Sequence, residues 1–205
     1  MTDPIPVKQQ TQGAQLDSGV TAPDCALTGV SGNTVMLSDY WQRSPVILVF
    51  LRNYGCTFCK EQVLELRNNF GKIKRSGAQV VCIAKGTHQL ARAFQILFDL
   101  PFDILVCGDD ASVFRAYGLS SIGLTEIFRW RVWKRLFLCA LNGIYNNPFG
   151  VQPGRMERTG GFLIDTNGKI LFAHRAEDVS DIAEADLLLS YVPVGQSQLL
   201  RQTGS

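Results

Sequence analysis

The stretch Val46-Ile47-Leu48-Val49-Phe50-Leu51-Arg52-Asn53-Tyr54-Gly55-Cys56-Thr57-Phe58-Cys59-Lys60-Glu61-Gln62 decides how this chain folds. Its first six residues are an unbroken apolar run rich in branched and aromatic side chains, which reads as a buried strand. Beyond Cys56, the residues Val63, Leu64, Leu66 and Phe70 recur at helical spacing. Cys56 and Cys59 therefore stand at a strand-to-helix turn. Backbone N–H groups at a helix start stabilise negative charge. A cysteine placed there ionises more readily, and the thiolate is the reactive form. The pattern points to thiol redox chemistry.

Composition sets the limits around that stretch. With 205 residues, 46% of them hydrophobic, the chain is long and apolar enough to bury a core as one domain with additions. We expect a loose arm over 1–20, a folded domain over 21–192 with a helical insertion at about 120–150, and a tail over 193–205. Twenty basic against 18 acidic residues leave a formal charge of +2, which gives no argument for nucleic acid or for a strongly acidic partner. Two of the six cysteines, Cys82 and Cys139, lie inside apolar segments and read as buried free thiols. The polar N-terminus has no apolar leader, and no apolar run approaches a bilayer-spanning length. These features set a cytoplasmic expectation, where a CxxC pair is catalytic or metal-binding rather than structural.

Along the chain, short β segments flank the turn Ser31-Gly32-Asn33. The strand over 46–51 and its helix come next, then a strand over 78–84 and a helix over 89–98. A third strand over 102–106 leads through Asp109 and Asp110, which favour a helix start, to a short helix over 111–117. Thr87 is placed to cap the helix that holds His88. The segment 125–141 is unusual. On a helical wheel Arg131, Lys134 and Arg135 cluster on one side, and aromatic and aliphatic residues cover most of the rest. Near the end, Asn167-Gly168 between two apolar runs signals a hairpin, followed by a helix over 182–191. The expected fold class is α/β, a sheet covered on both faces.

This order, with CxxC after the first long strand, resembles a thioredoxin fold with an N-terminal β-hairpin extension and a helical insert before the last hairpin. Ala22-Pro23-Asp24 with Ser38-Asp39-Tyr40 resembles the N-terminal hairpin of the AhpC/TSA (peroxiredoxin) family. The segment from Phe50 to Gln62 closely resembles the motif of its peroxiredoxin-like 2 branch. Thr159-Gly160-Gly161-Phe162-Leu163-Ile164-Asp165 and Phe172-Ala173-His174-Arg175 fit the same branch. The resemblance covers about residues 20–190. It implies an antioxidant oxidoreductase that acts on a hydroperoxide or related peroxide bond and is regenerated by a thioredoxin- or glutaredoxin-type reductant. It also implies that Arg158 corresponds to the active-site arginine before the later strand. Asn53 stands where the family carries a hydroxyl, and its amide can donate in that role.

Residues three apart lie on one helical face, about 5–6 Å between Cα atoms, which suits a disulfide. Cys56, nearer the helix start and solvent, takes the attacking role, and Cys59, one turn inward, takes the resolving role. Arg52, Asn53, Tyr54, Thr57 and Arg158 are the supporting candidates. For Arg52, favouring the thiolate and being a solvated strand-end cation weigh equally. Half of a zinc site is the competing reading of CxxC, although no second pair supplies the other ligands. We expect no metal and no cofactor. Cys25 reads as packing, Cys107 as packing with a minority redox reading, and His174 as a surface or packing residue. The aromatic-basic segment reads as a sheet-edge cover or homodimer contact in preference to a membrane-surface contact. Two other functions stay open: a thiol–disulfide oxidoreductase acting on protein disulfides, and a non-catalytic binding module.

Overall fold

The structure is a computed structural model that describes residues 18–121, 130–144 and 156–193. Most of the expected N-terminal arm, parts of the insertion and nearly all of the C-terminal tail lie outside the described residues. In chain order the elements are β1 (Ala26–Gly29), β2 (Thr34–Met36), α1 (Ser38–Trp41), β3 (Val46–Leu51), α2 (Thr57–Asn68), α3 (Phe70–Arg75) and β4 (Gln79–Ala84). They continue with α4 (His88–Leu97), β5 (Asp103–Val106), α5 (Ser112–Ala116), α6 (Trp130–Leu141), β6 (Gly160–Ile164), β7 (Ile170–Arg175) and α7 (Ala185–Ser190).

The seven strands form one sheet in the order β2-β1-β5-β4-β3-β6-β7. β3, β4 and β5 run parallel, whereas β1 and β6 pair antiparallel to their neighbours. β3 is an interior strand between β4 and β6, and its side chains alternate between two cores. Ile47, Val49 and Leu51 join the layer built by α2, α3, α4 and α7, which includes Val63, Ile73 and Phe94. Val46, Leu48 and Phe50 join Trp41, Phe114 and Tyr117 on the other side. All six residues of β3 are buried because both faces are covered, which is why the strand reads as a continuous apolar run. Phe50 packs against the rings of Phe114, Tyr117 and Phe162 at centroid distances of 5.0, 5.0 and 5.7 Å. Deleting such a ring costs about 3–5 kcal/mol.

The terminal hairpin forms where Asn167-Gly168 predicts it, but by a different turn. Only Gly168 takes a positive φ, +75°, while Asn167 does not, so the loop is not the mirror-image two-residue turn. Instead Asp165 organises it: its Oδ1 accepts from the amides of Asn167 and Lys169 at 2.9 and 2.7 Å. The last helix is also shorter than its periodicity predicts, 185–190 rather than 182–191. Glu65 Oε1, reaching from α2, accepts from the Ala185 amide at 2.8 Å and defines where α7 starts.

Gly160 and Gly161 open β6 opposite Phe50 and Val49. A Cβ at Gly161 would collide with the Cβ of Ala183, and one at Gly160 would lie 2.7 Å from Leu119 Cδ2 and 3.0 Å from the His174 carbonyl. Gly161 lets the segment around Ala183 lie close on the sheet, and Gly160 makes room for Leu119 on the other face. Gly161→Ala is therefore expected to destabilise the fold by about 1–3 kcal/mol through overpacking, read as a lower urea midpoint at unchanged m-value.

Candidate active site

The CxxC pair sits where β3 hands over to α2. Cys56 is the N-cap of α2, with extended backbone, and its carbonyl accepts the first helical bond from the Lys60 amide at 3.1 Å. Its side chain is part-exposed, while Cys59, in the first turn, is fully buried. All six cysteines are free thiols.

Geometry separates the two sulfurs electrostatically. The Cys56 thiol is lowered to about 6, first by the hydrogen bond it receives from Cys59 and then by the Arg52 guanidinium, which together outweigh the cost of burial. The amides of Cys59 and Phe58 add to this. They face the sulfur at the helix start without closing a formal cap hydrogen bond. The Cys59 thiol moves the opposite way, raised well above its ordinary value because it is the donor to Cys56 and is buried beside its charge. The arrangement thus favours the thiolate at Cys56 and the thiol at Cys59.

Arg52 is not a solvated strand-end cation. It is 4% exposed, and its Nη1 donates to Cys56 Sγ at 3.3 Å. The rest of the guanidinium is held by two carbonyls far away in sequence: Nε donates to Glu157 at 3.4 Å and Nη2 to Val179 at 3.3 Å. Its backbone amide donates to Cys59 Sγ at 3.3 Å. A buried guanidinium needs such partners, and here they also fix its direction.

The other predicted residues divide. Asn53 is buried at the site, but its side chain does not take the donor role expected of its amide. Its Oδ1 accepts from the Gly55 amide at 3.0 Å and shapes the turn, while its own backbone amide stabilises Cys59. Thr57 opens α2 and is buried. Tyr54 packs inward with its ring 5.2 Å from Phe94, and its hydroxyl is buried without a hydrogen-bond partner among the described residues. Arg158 donates to Ser120 Oγ at 3.2 Å and to the carbonyls of Ala176 and Glu177 at 3.0 and 2.8 Å. These bonds pin the segment after β7, and it is Glu157, its neighbour, whose carbonyl reaches the site arginine.

Sequence reasoning missed the roof of the site. The inner face of α6, with Val132, Leu136 and Cys139, joins Phe58, Val179 and Ile182 in a small cluster against Cys56. Arg135 fixes it through a fork onto Glu61 of α2, at 3.1 and 3.3 Å. Arg135 thus turns from the basic side of the wheel towards α2, while its neighbour Lys134 is exposed. Cys139 is buried as expected, yet its thiol also donates to Glu61 Oε2 at 3.3 Å. The signal was the apolar spacing 132, 136, 139, partly hidden by aromatic residues elsewhere on the helix. Lys60 was also missed. It is buried, its pKa is lowered by that burial, and the two sulfurs oppose the shift. Among the described residues no cluster of three or more His, Cys, Asp or Glu side chains is arranged to hold a metal ion.

The minor candidates fall into place elsewhere. Thr87 Oγ1 caps α4 by accepting from Leu90 at 3.3 Å. His174 Nε2 lies 3.1 Å from an Asp181 carboxylate oxygen. Cys25 and Cys107 are half-buried against the second core, and burial pushes both thiols up to about 12, unlike Cys56.

The AhpC/TSA family profile matches residues 18–173. Peroxiredoxin Q, chloroplastic, from Sedum lineare is 26% identical over 148 residues, 70% of this chain and 76% of that one. Its counterpart from Oryza sativa subsp. japonica is 26% identical over 139 residues, 66% of this chain but 61% of its own length. Among solved structures, peroxidoxin BcpB from Mycobacterium tuberculosis superposes with a TM-score of 0.63 at 19% identity, covering 86% of this chain and 96% of that one. The chain belongs to the AhpC/TSA family, has a peroxiredoxin-like thioredoxin fold, and is placed with the family's thiol-dependent enzymes.

Alkylation by iodoacetamide is expected to be fastest at Cys56, with a rate that falls as the pH drops through about 6, where the thiolate takes up its proton. Arg52→Met removes a cation from the anion, so the midpoint must move up. Cys59→Ser exchanges the sulfur donor and is a second, independent probe of the midpoint. An unshifted midpoint in Arg52→Met would contradict the assignment.

Proposed function

We propose that this AhpC/TSA enzyme is a thiol peroxidase that reduces hydroperoxides by a dithiol/disulfide cycle at Cys56 and Cys59. The observation that carries the reading is the placement of the two sulfurs at the start of α2, Cys56 against the Arg52 guanidinium and Cys59 in the first turn behind it. A part-exposed thiolate lies against a buried guanidinium, with a protonated partner one helical turn deeper.

In the first step the Cys56 thiolate attacks the terminal peroxide oxygen. The S–O bond forms as the O–O bond breaks, and the leaving alkoxide or hydroxide takes up a proton and departs as alcohol or water. Arg52 stays beside the reacting oxygen pair and balances charge as it moves from sulfur to the leaving oxygen. Cys56 is left as a sulfenic acid. Cys59 then loses its proton and attacks that sulfur, forming the S–S bond and releasing water. The hydrogen bond between the thiols already places them for this step. An external dithiol of the thioredoxin class reduces the disulfide by exchange, entering at the more exposed sulfur, Cys56. The finer placement in the peroxiredoxin-like 2 branch rests on the segment from Phe50 to Gln62.

The test is hydroperoxide-dependent NADPH consumption coupled through thioredoxin and its reductase. Wild type is expected to turn over, and Cys56→Ser to lose at least about a thousandfold, because no nucleophile remains. Cys59→Ser is expected to stop after one turnover and accumulate one added oxygen on Cys56, seen by intact-mass spectrometry and trapped by dimedone. A wild type that reduces insulin disulfides but leaves peroxide untouched would replace this reading with protein-disulfide exchange.

A further inference from the structure

Helix α6 has a second apolar face. Its inner side covers Cys56, whereas Trp130 is 78% exposed, Trp133 56%, Phe137 65%, Leu138 48% and Leu141 68%. Steps of three and four residues place these on one side of the helix, and exposed Lys134 lies among them. The helix carries no acidic residue; Arg135 is held by Glu61, and Lys134 is the exposed cation on this face. Single exposed apolar residues are ordinary, but five large ones in one stripe, two of them Trp, mark an interaction surface.

We propose that this outer face of α6 rests on an anionic lipid surface. Trp130, Trp133, Phe137 and Leu141 enter the boundary between headgroups and acyl chains, and Lys134 meets the phosphates. Aromatic and aliphatic residues beside basic ones, with acidic residues absent, are what a helix lying in that boundary carries. The helix lies on the bilayer and does not cross it: no helix of the described residues is long and apolar enough to span. A second copy of the chain fits less well. A two-fold contact through this face would bring the exposed Lys134 of each copy together, with no acidic residue on the helix to answer it. Docking by α6 puts the helix that roofs Cys56 between the protein and the lipid, so the thiolate lies one helix thickness from the membrane. The proposal does not depend on the peroxidase reading.

Flotation of the full chain tests it, using phosphatidylcholine vesicles with and without a minority of phosphatidylglycerol. Wild type is expected to float with the phosphatidylglycerol vesicles, less so as salt is raised, and its tryptophan emission to shift to shorter wavelength. The third tryptophan, Trp41, is buried, so the shift reports on α6. The double variant Phe137→Glu/Leu141→Glu is expected to bind at least about tenfold more weakly. Lys134→Glu is expected to weaken binding to the anionic vesicles. These residues are exposed, and an unchanged thermal melt shows that the variants still fold. Cys56→Ser should float like wild type, which separates docking from redox chemistry. Protein that stays down with both vesicle types, or floats equally with both, overturns the proposal. So does a dimer in light scattering that Phe137→Glu/Leu141→Glu dissociates in the absence of vesicle binding.

Discussion

The site depends on one charge pair, the Cys56 sulfur against the Arg52 guanidinium at the first turn of α2. The strand delivers the arginine and the helix delivers the sulfur, four residues on, so the pair exists only because β3 ends and α2 begins at this point. Burial works against both ions. The cost is offset locally, by the Cys59 thiol and the helix amides on the sulfur and by two carbonyls on the arginine. Removing the sulfur would leave a buried guanidinium held by its two carbonyls alone.

Much of this was legible in the residues from Val46 to Gln62. The apolar run marked a strand covered on both faces, and the sheet supplies that cover through two separate cores. The cysteine spacing marked the turn and which sulfur lies nearer the surface. The hairpin, the Thr87 cap and the buried state of Cys82 were readable for the same reason: each is a local preference that tertiary packing reinforces.

What was not legible is what arrives from a distance. Nothing near Glu157 or Val179 marks them as partners of Arg52, because they act through backbone carbonyls, which every residue has. Arg158 drew attention by its side chain and by its resemblance to a family arginine, yet its hydrogen bonds hold the segment after β7. The role of α6 was hidden for another reason. A helix apolar on two sides shows no single stripe, so periodicity alone could not say which side faces the protein.

The carbonyls that hold Arg52 have a temporal consequence. They lie 105 and 127 residues downstream of it. A chain emerging from the ribosome presents its CxxC segment long before either carbonyl has been made. Until then the arginine has no anchorage, and the sulfur lacks the fixed cation it has in the folded protein. Full reactivity thus waits for segments made more than a hundred residues after Arg52, which spares an unfinished molecule from oxidising at the position its chemistry needs.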